Sequence, residues 1–227
     1  MKTVLNFTCI FFLCISSVFA QKAETIRVVG KEADDFIAKA AYKFPAFTRA
    51  RVYLKNGDIA NGKFNYDYFN ESMKYIDEKG DTLVIANEKD INCISIGSDT
   101  FFYDNRYFEW VASSASARLA VKRTLRLTHR EKLAPSITNS PTNKVESHDV
   151  ILDISNHQLD ANEVLVFLKQ TTYYISSING HFAEANKKNI GKLFPGKNIE
   201  EYITRNKLNL NKEEDLIDVF VYANKPQ

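Results

Sequence analysis

Cysteine is almost absent from this chain of 227 residues, which carries only Cys9, Cys14 and Cys93. The first two fall in the N-terminal apolar run, so removal of that run leaves Cys93 alone and no intramolecular disulfide can form. The fold must therefore stand on its core. Glycine is scarce as well: eight residues leave little for a phosphate-cradling loop, and Gly30-Lys31 lacks both the upstream glycine and the following hydroxyl. There is no G-x-S-x-G elbow, no H-E-x-x-H pair and no C-x-x-C. Net charge is scarce too. Thirty Lys and Arg face 28 Asp and Glu, so the overall field draws the protein to neither nucleic acid nor acidic membranes, and only a local patch could do so.

One long apolar run is present. Lys2 supplies a positive start, a stretch rich in Phe, Ile and Leu spans Val4 to Val18, and Val18-Phe19-Ala20 offers a small-residue cleavage site before Gln21. This reads as a secretory signal peptide over residues 1–20. Elsewhere no run approaches the roughly 18 apolar residues of a transmembrane helix. Phe11-Phe12-Leu13 ahead of Cys14 is too bulky for a lipoprotein signal. The sequence thus predicts an exported protein without a transmembrane span: periplasmic, surface-associated or secreted.

Residues 21–48 read as a lead-in with a short helix over 34–40, which Pro45 would end. An antiparallel β region is expected over 49–132. From Ala50 the hydrophobic period becomes two, and Asn56-Gly57 supplies the turn of a tight hairpin. Strands are expected at 63–66, 73–76, 82–86, 91–96, 100–103 and 106–111, with turn residues between them. The longest candidate is 117–128, where Leu119, Val121, Leu125 and Leu127 share one face. Arg123 interrupts that face, and a bulge or a strand end reaching water would accommodate it.

Residues 133–148 read as a Pro-, Ser-, Thr- and Asn-rich linker, and 149–183 as a short β region with strands at 150–154, 164–168 and 171–176. Residues 184–227 read as a C-terminal helical segment, with a capping box at Asn211-Lys212-Glu213-Glu214 opening its last helix. The expected class is α+β: mainly antiparallel β, as a sandwich, open barrel or meander, followed by that small helical segment.

Candidate chemistry is sparse. Arg118, Lys122, Arg126 and Arg130 are four residues apart, which in a strand places them on one face about 13 Å from one another. Such a comb suits a polyanion such as an acidic glycan, with arginine giving bidentate contacts. It equally suits the solvated face of an edge strand, where cations deter sheet-to-sheet pairing. The aromatic stretches Tyr66-x-Tyr68-Phe69 and Phe101 to Trp110 suit either a core or a sugar platform. Glu146, His148, Asp149, Asp153 and His157 form the best metal candidate, which would support a metal-dependent hydrolase if they converged. Without convergence they are polar residues where a linker enters a strand. Cys93, in Ile91 to Ile96, reads as a buried small hydrophobe, with no histidine nearby in sequence to activate it. Asn70-Glu71-Ser72 matches a glycosylation pattern that matters only in a eukaryotic secretory route. No catalytic residue, metal or cofactor is assigned.

Two stretches also resemble known sequence. Phe44-Pro45-x-Phe47, Val52-Tyr53-Leu54-Lys55-Asn56-Gly57 and Gly80-Asp81-Thr82-Leu83-x-Ile85-Ala86-Asn87, with Asn186-Lys187-Lys188-Asn189-Ile190, Leu193-Phe194-Pro195 and Glu214-Asp215-Leu216-Ile217 in the tail, resemble a family of exported Bacteroidota proteins. The resemblance implies an exported β-rich protein from such a bacterium and carries over no active-site residues. The functional expectation is a non-catalytic binding or structural protein of the envelope or exterior, with an envelope protein or an acidic glycan as partner and no nucleic acid.

Overall fold

The computed structural model describes residues 22–132 and 163–225. The leader, the linker, the strand expected at 150–154 and the metal candidate with His148 and His157 lie outside the described residues. β1 (Lys22–Val29) leads directly into α1 (Gly30–Ala40). A run of antiparallel strands follows: β2 (Thr48–Leu54), β3 (Ile59–Asp67), β4 (Ser72–Ile76), β5 (Thr82–Val84), β6 (Ile91–Ile96), β7 (Asp99–Tyr103), β8 (Tyr107–Ser113) and β9 (Ala117–Lys132). Then come β10 (Glu163–Ser177) and β11 (Ala183–Glu184), and three short helices, α2 (Lys187–Leu193), α3 (Ile199–Arg205) and α4 (Glu213–Asn224). The class is α+β, an antiparallel sheet followed by a helical segment, as the periodicity predicts.

The strands form one sheet in the order β1-β10-β9-β8-β7-β6-β2-β3-β4-β5, with β11 paired to β10. Hairpins build most of it because the turn chemistry is local. At Asn56-Gly57, Gly57 adopts φ +96°, a conformation that costs glycine little. The two strands expected at 164–168 and 171–176 are instead one, β10, which pairs with β9 along its whole length. Lys169 and Gln170, which separate the two expected strands, lie within that ladder. β1 is a strand where only a lead-in was expected, since its partner β10 lies far along the chain and leaves no mark on the local pattern.

Register places the core on one face of the sheet. Val52 stands opposite Ile94, Ile94 opposite Phe101, Phe101 opposite Glu109, Glu109 opposite Val121 and Val121 opposite Tyr173. The face is covered in three parts. Toward β2–β8 it folds on itself around Val52, Tyr66, Met73, Ile94, Ile96, Phe101 and Tyr107. α1 lies over Val28, Leu125, Leu165 and Phe167, with the Phe36 and Phe167 rings 5.0 Å apart. The C-terminal helices pack Ile190, Ile199, Ile203, Leu216, Val219 and Phe220 against Ala117, Leu119 and Ile175. α2 and α3 have seven residues each, too few to hold alone, so this contact is what maintains them. The sheet curls until the turn after β3 reaches β9, where the Leu125 N–H donates to the Tyr68 carbonyl at 3.1 Å.

α4 starts one residue later than the expected capping box, and its N-cap residue makes no side-chain cap. Lys212 stands at the N-cap of α4, and Asp215 instead accepts from the Asn209 N–H at 2.7 Å. Leu216→Ala in the sheet-facing stripe of α4 is expected to cost roughly 2–5 kcal/mol, the usual range for a buried leucine. Val84→Ala, on exposed β5, is expected to stay within about 0.5 kcal/mol. Urea unfolding of both variants checks this, and equal midpoints would mean that the helices contribute nothing to the fold.

Candidate functional site

The basic comb does not survive folding as one face. β9 and β10 stay in register to Leu127 opposite Phe167, but the next pair is His129 with Val166, so Thr128 is an extra residue. This β-bulge is pinned by the Thr128 hydroxyl donating to the Val166 carbonyl at 2.8 Å. Arg126 therefore stands opposite Leu168 and Arg130 opposite Leu165. Three positions separate those partners, which puts Arg130 on the other side of the sheet. The alternation that groups the four cations in sequence is broken by one residue.

Two of the remaining three are counter-ions. Lys122, only 6% exposed at its side chain, pairs with Glu71, and Arg126 donates to the other Glu71 oxygen at 2.7 Å. Glu71 sits in the left-handed region at φ +52°, which costs a non-glycine residue. Asp67 builds the turn beneath it, accepting from the Phe69 and Asn70 N–H groups at 2.8 and 3.0 Å, the Asn70 amide at 2.8 Å and Lys74 at 2.7 Å. The Asn70 side chain is thus engaged inside its own turn. The pairs clip the curled end of the sheet to β9. Arg118 lies over the Phe102 ring, 4.7 Å from its centroid.

A second charged cluster was invisible in the sequence except for Arg123, the interruption of an apolar face. Neither a bulge nor solvent accommodates that residue. Arg123 pairs with Glu109 at 2.7 Å and with Glu213 at 3.3 Å. Glu109 also pairs with Lys43 at 2.5 Å, and Lys43 with Asp99 at 3.3 Å. Tyr173 donates to Glu213 at 3.3 Å. One chain of charges thus joins the lead-in, β7, β8, β9 and the first residue of α4. Burial, with Glu109 and Glu213 nearby, pushes the Tyr68 and Tyr173 phenols up to about 12, so both stay protonated donors near neutrality. The cluster can hold elements together.

The outer face carries its own aromatic group. Phe101, Tyr103 and Tyr107 go inward, while Phe102, Phe108 and Trp110 go outward, as strand alternation requires. Phe182 stacks on Phe108 at 4.5 Å and Tyr174 meets it edge-on at 4.8 Å. Asp104 fixes this lid, accepting from the Phe182 N–H at 2.9 Å and contacting His181 at 2.7 Å. Of the two readings of these aromatics the core one holds for Tyr66, Phe101, Tyr107 and Phe108, which are buried, while Trp110 stays open at 42% exposure. Cys93 is half-buried, and burial pushes its thiol up, opposite to the shift a nucleophile needs. Among the described residues no group of three His, Cys, Asp or Glu is placed to hold a metal.

An open groove of about 1000 Å³ lies between α2 and α3. Lys187, Lys188, Gly191 and Lys192 line its α2 side, and Glu200, Glu201, Thr204 and Arg205 its α3 side, with Lys197 and Asn198 at the connection. In the sequence Lys187 and Lys188 stand out only within the tail segment that carries the resemblance, and nothing there gives them or Lys192 a role. Comparison with family models, with curated proteins and with solved structures finds no match for this chain.

Burial alone would raise the Glu71 and Asp67 carboxyls. Lys122 and Arg126 at the first, and Lys74 and Asn70 at the second, outweigh it and hold both below their ordinary values of 4.5 and 3.8. As pH falls, the unfolded chain therefore takes up these protons first. The stabilisation is complete above the ordinary carboxylate range and is lost as pH drops through the lowered folded values. Glu71→Gln is expected to lower stability at pH 7 by about 3 kcal/mol or more, because Lys122 is left buried without its counter-ion. Lys122→Met should cost less, since Glu71 keeps Arg126. Urea unfolding from pH 7 to 3 tests both points: Glu71→Gln should also flatten the acid loss, and an unchanged profile would remove Glu71 from this role.

Proposed function

We propose that this protein is an exported, non-catalytic binding or structural component of the bacterial cell envelope or exterior. The observation that carries the reading is the sorting of its charges. The largely buried charges are spent on joints: Lys122 with Glu71, which exposed Arg126 also reaches, and Glu109 with Lys43 and Arg123. Cations without an ion pair among the described residues, including Lys187, Lys188, Lys192 and Arg205, line a groove at the surface. The signal-like leader and the resemblance to exported Bacteroidota proteins support the destination. No helix among the described residues is long and apolar enough to cross a membrane.

The anion-binding form of this reading rests on those groove cations more than on Arg118, Lys122, Arg126 and Arg130, of which two are already neutralised and one faces the other way. Two measurements test the proposal. Expression of the full chain in a Bacteroidota host should yield an envelope or culture-fluid protein whose intact mass begins at Gln21; an unprocessed cytoplasmic chain would overturn export. A thermal-shift screen against acidic glycans, neutral sugars and divalent metals with an EDTA control should show a rise with the acidic glycans. A rise only with a metal would favour a site built on His148 and His157 and overturn the non-catalytic reading.

A further inference from the structure

We infer that the α2–α3 groove is a binding site for an acidic polysaccharide, a polymer that presents carboxylates and hydroxyls together. The inference rests on the binding reading above and gives it a place and a ligand class. Its two walls differ in chemistry. On α2, Lys188 and Lys192 stand one turn apart on the side away from buried Ile190, and Lys187 and Gly191 flank them along the groove. None of the three lysines has an ion pair among the described residues. On α3, Glu200, Glu201, Thr204 and Arg205 form the exposed wall, with buried Ile199 at the base of the groove and Ile203 turned into the core. Lys197 is held at the connection by donating to the Lys225 carbonyl at 2.7 Å.

The stability of α2 does not account for this composition. Lys188 and Lys192 are like charges at i and i+4, and a glycine inside so short a helix weakens it further. Nor is Gly191 there to admit a neighbour, because no heavy atom lies within 4 Å of where its Cβ would stand. What the choice does achieve is an unobstructed cationic wall. Such local cost without structural return is the pattern expected at a functional surface.

Ligand chemistry follows from both walls. Lysines take carboxylates as point charges. Asn198 already donates to Glu201 and the Thr204 hydroxyl to the Glu200 carbonyl. What the α3 wall offers is therefore mainly acceptors, the Glu200 and Glu201 carboxylates, which suit the donating hydroxyls of a sugar. A bare polyphosphate offers the α3 carboxylates no hydroxyl to donate to them. A flat anionic membrane would meet the same two carboxylates and no exposed apolar anchor. An uncharged glycan would leave the lysines unused.

The test uses the processed full chain, with binding of labelled polygalacturonate read by fluorescence anisotropy at low salt. We expect saturable binding that weakens as salt is raised. Lys187→Glu with Lys188→Glu and Lys192→Glu should weaken it at least tenfold. Gly191→Leu, which narrows the groove without changing charge and favours the helix, should weaken it several-fold. Unchanged thermal unfolding verifies that both variants are folded. Reversal of three exposed lysines elsewhere, Lys39, Lys63 and Lys79, should change little.

The proposal is overturned if the groove variants bind like the parent, if the distant reversal costs as much, or if polyphosphate or phosphatidylserine vesicles bind as tightly as polygalacturonate. Loss of binding in Arg118→Glu with Arg126→Glu, but not in the groove variants, would move the site to β9 and leave the anion-binding reading standing. No binding of any polymer by the parent protein would remove both.

Discussion

The ladder between β9 and β10 is the constraint on which the rest of this molecule depends. Fifteen residues of β10 pair with β9, and everything that covers the sheet is fastened there. α1 rests on Leu125, Leu165 and Phe167 toward one end, and the C-terminal helices rest on Ala117, Leu119 and Ile175 toward the other. β8 pairs with the first part of β9, and the turn after β3 meets the later part through the Leu125–Tyr68 hydrogen bond. A sheet assembled mostly from local hairpins is thus drawn round by one long-range pairing. Loop-closure entropy opposes such a pairing until apolar burial compensates for it.

The charged groups act as joints in that arrangement. A single charged residue, Glu109, interrupts the otherwise apolar or aromatic row from Val52 to Tyr173, between Phe101 and Val121. Half-buried ion pairs contribute little net stability, but removing one partner is costly. Their value here is positional. Lys43, Arg123 and Glu213 each bring a different segment to Glu109 or to its partner, so the lead-in and α4 have one compatible position against the sheet. Glu71 does the same for the curled end, at the cost of a left-handed backbone.

Legibility followed sequence distance. The Asn56-Gly57 hairpin, the strands from β2 to β9 and the three C-terminal helices could be read because their signals lie within a few residues of one another. β1 and the continuity of β10 could not, since a half-polar strand becomes a strand only when its partner arrives. The basic comb was legible as residues and illegible as a site. Its grouping assumed unbroken alternation, and the bulge at Thr128 turned Arg130 over. Glu71 and Glu109, which give the neighbouring cations their roles, lie on strands or turns whose proximity to β9 no local pattern announces. The groove lysines were plain in the text of α2, but nothing there showed that α3 would face them with Glu200, Glu201 and Thr204.

By itself the sequence determined the secondary-structure class and the order of β region and helices. These follow from composition and from periods of two and 3.6, which are properties of neighbouring residues. The tertiary structure alone decided which cations are neutralised, which aromatic rings face outward, how the helices dock, and that two short helices flank an open groove. The physical reason is that electrostatic pairing and burial act between groups brought together by the fold, at separations along the chain as large as the one between Arg123 and Glu213.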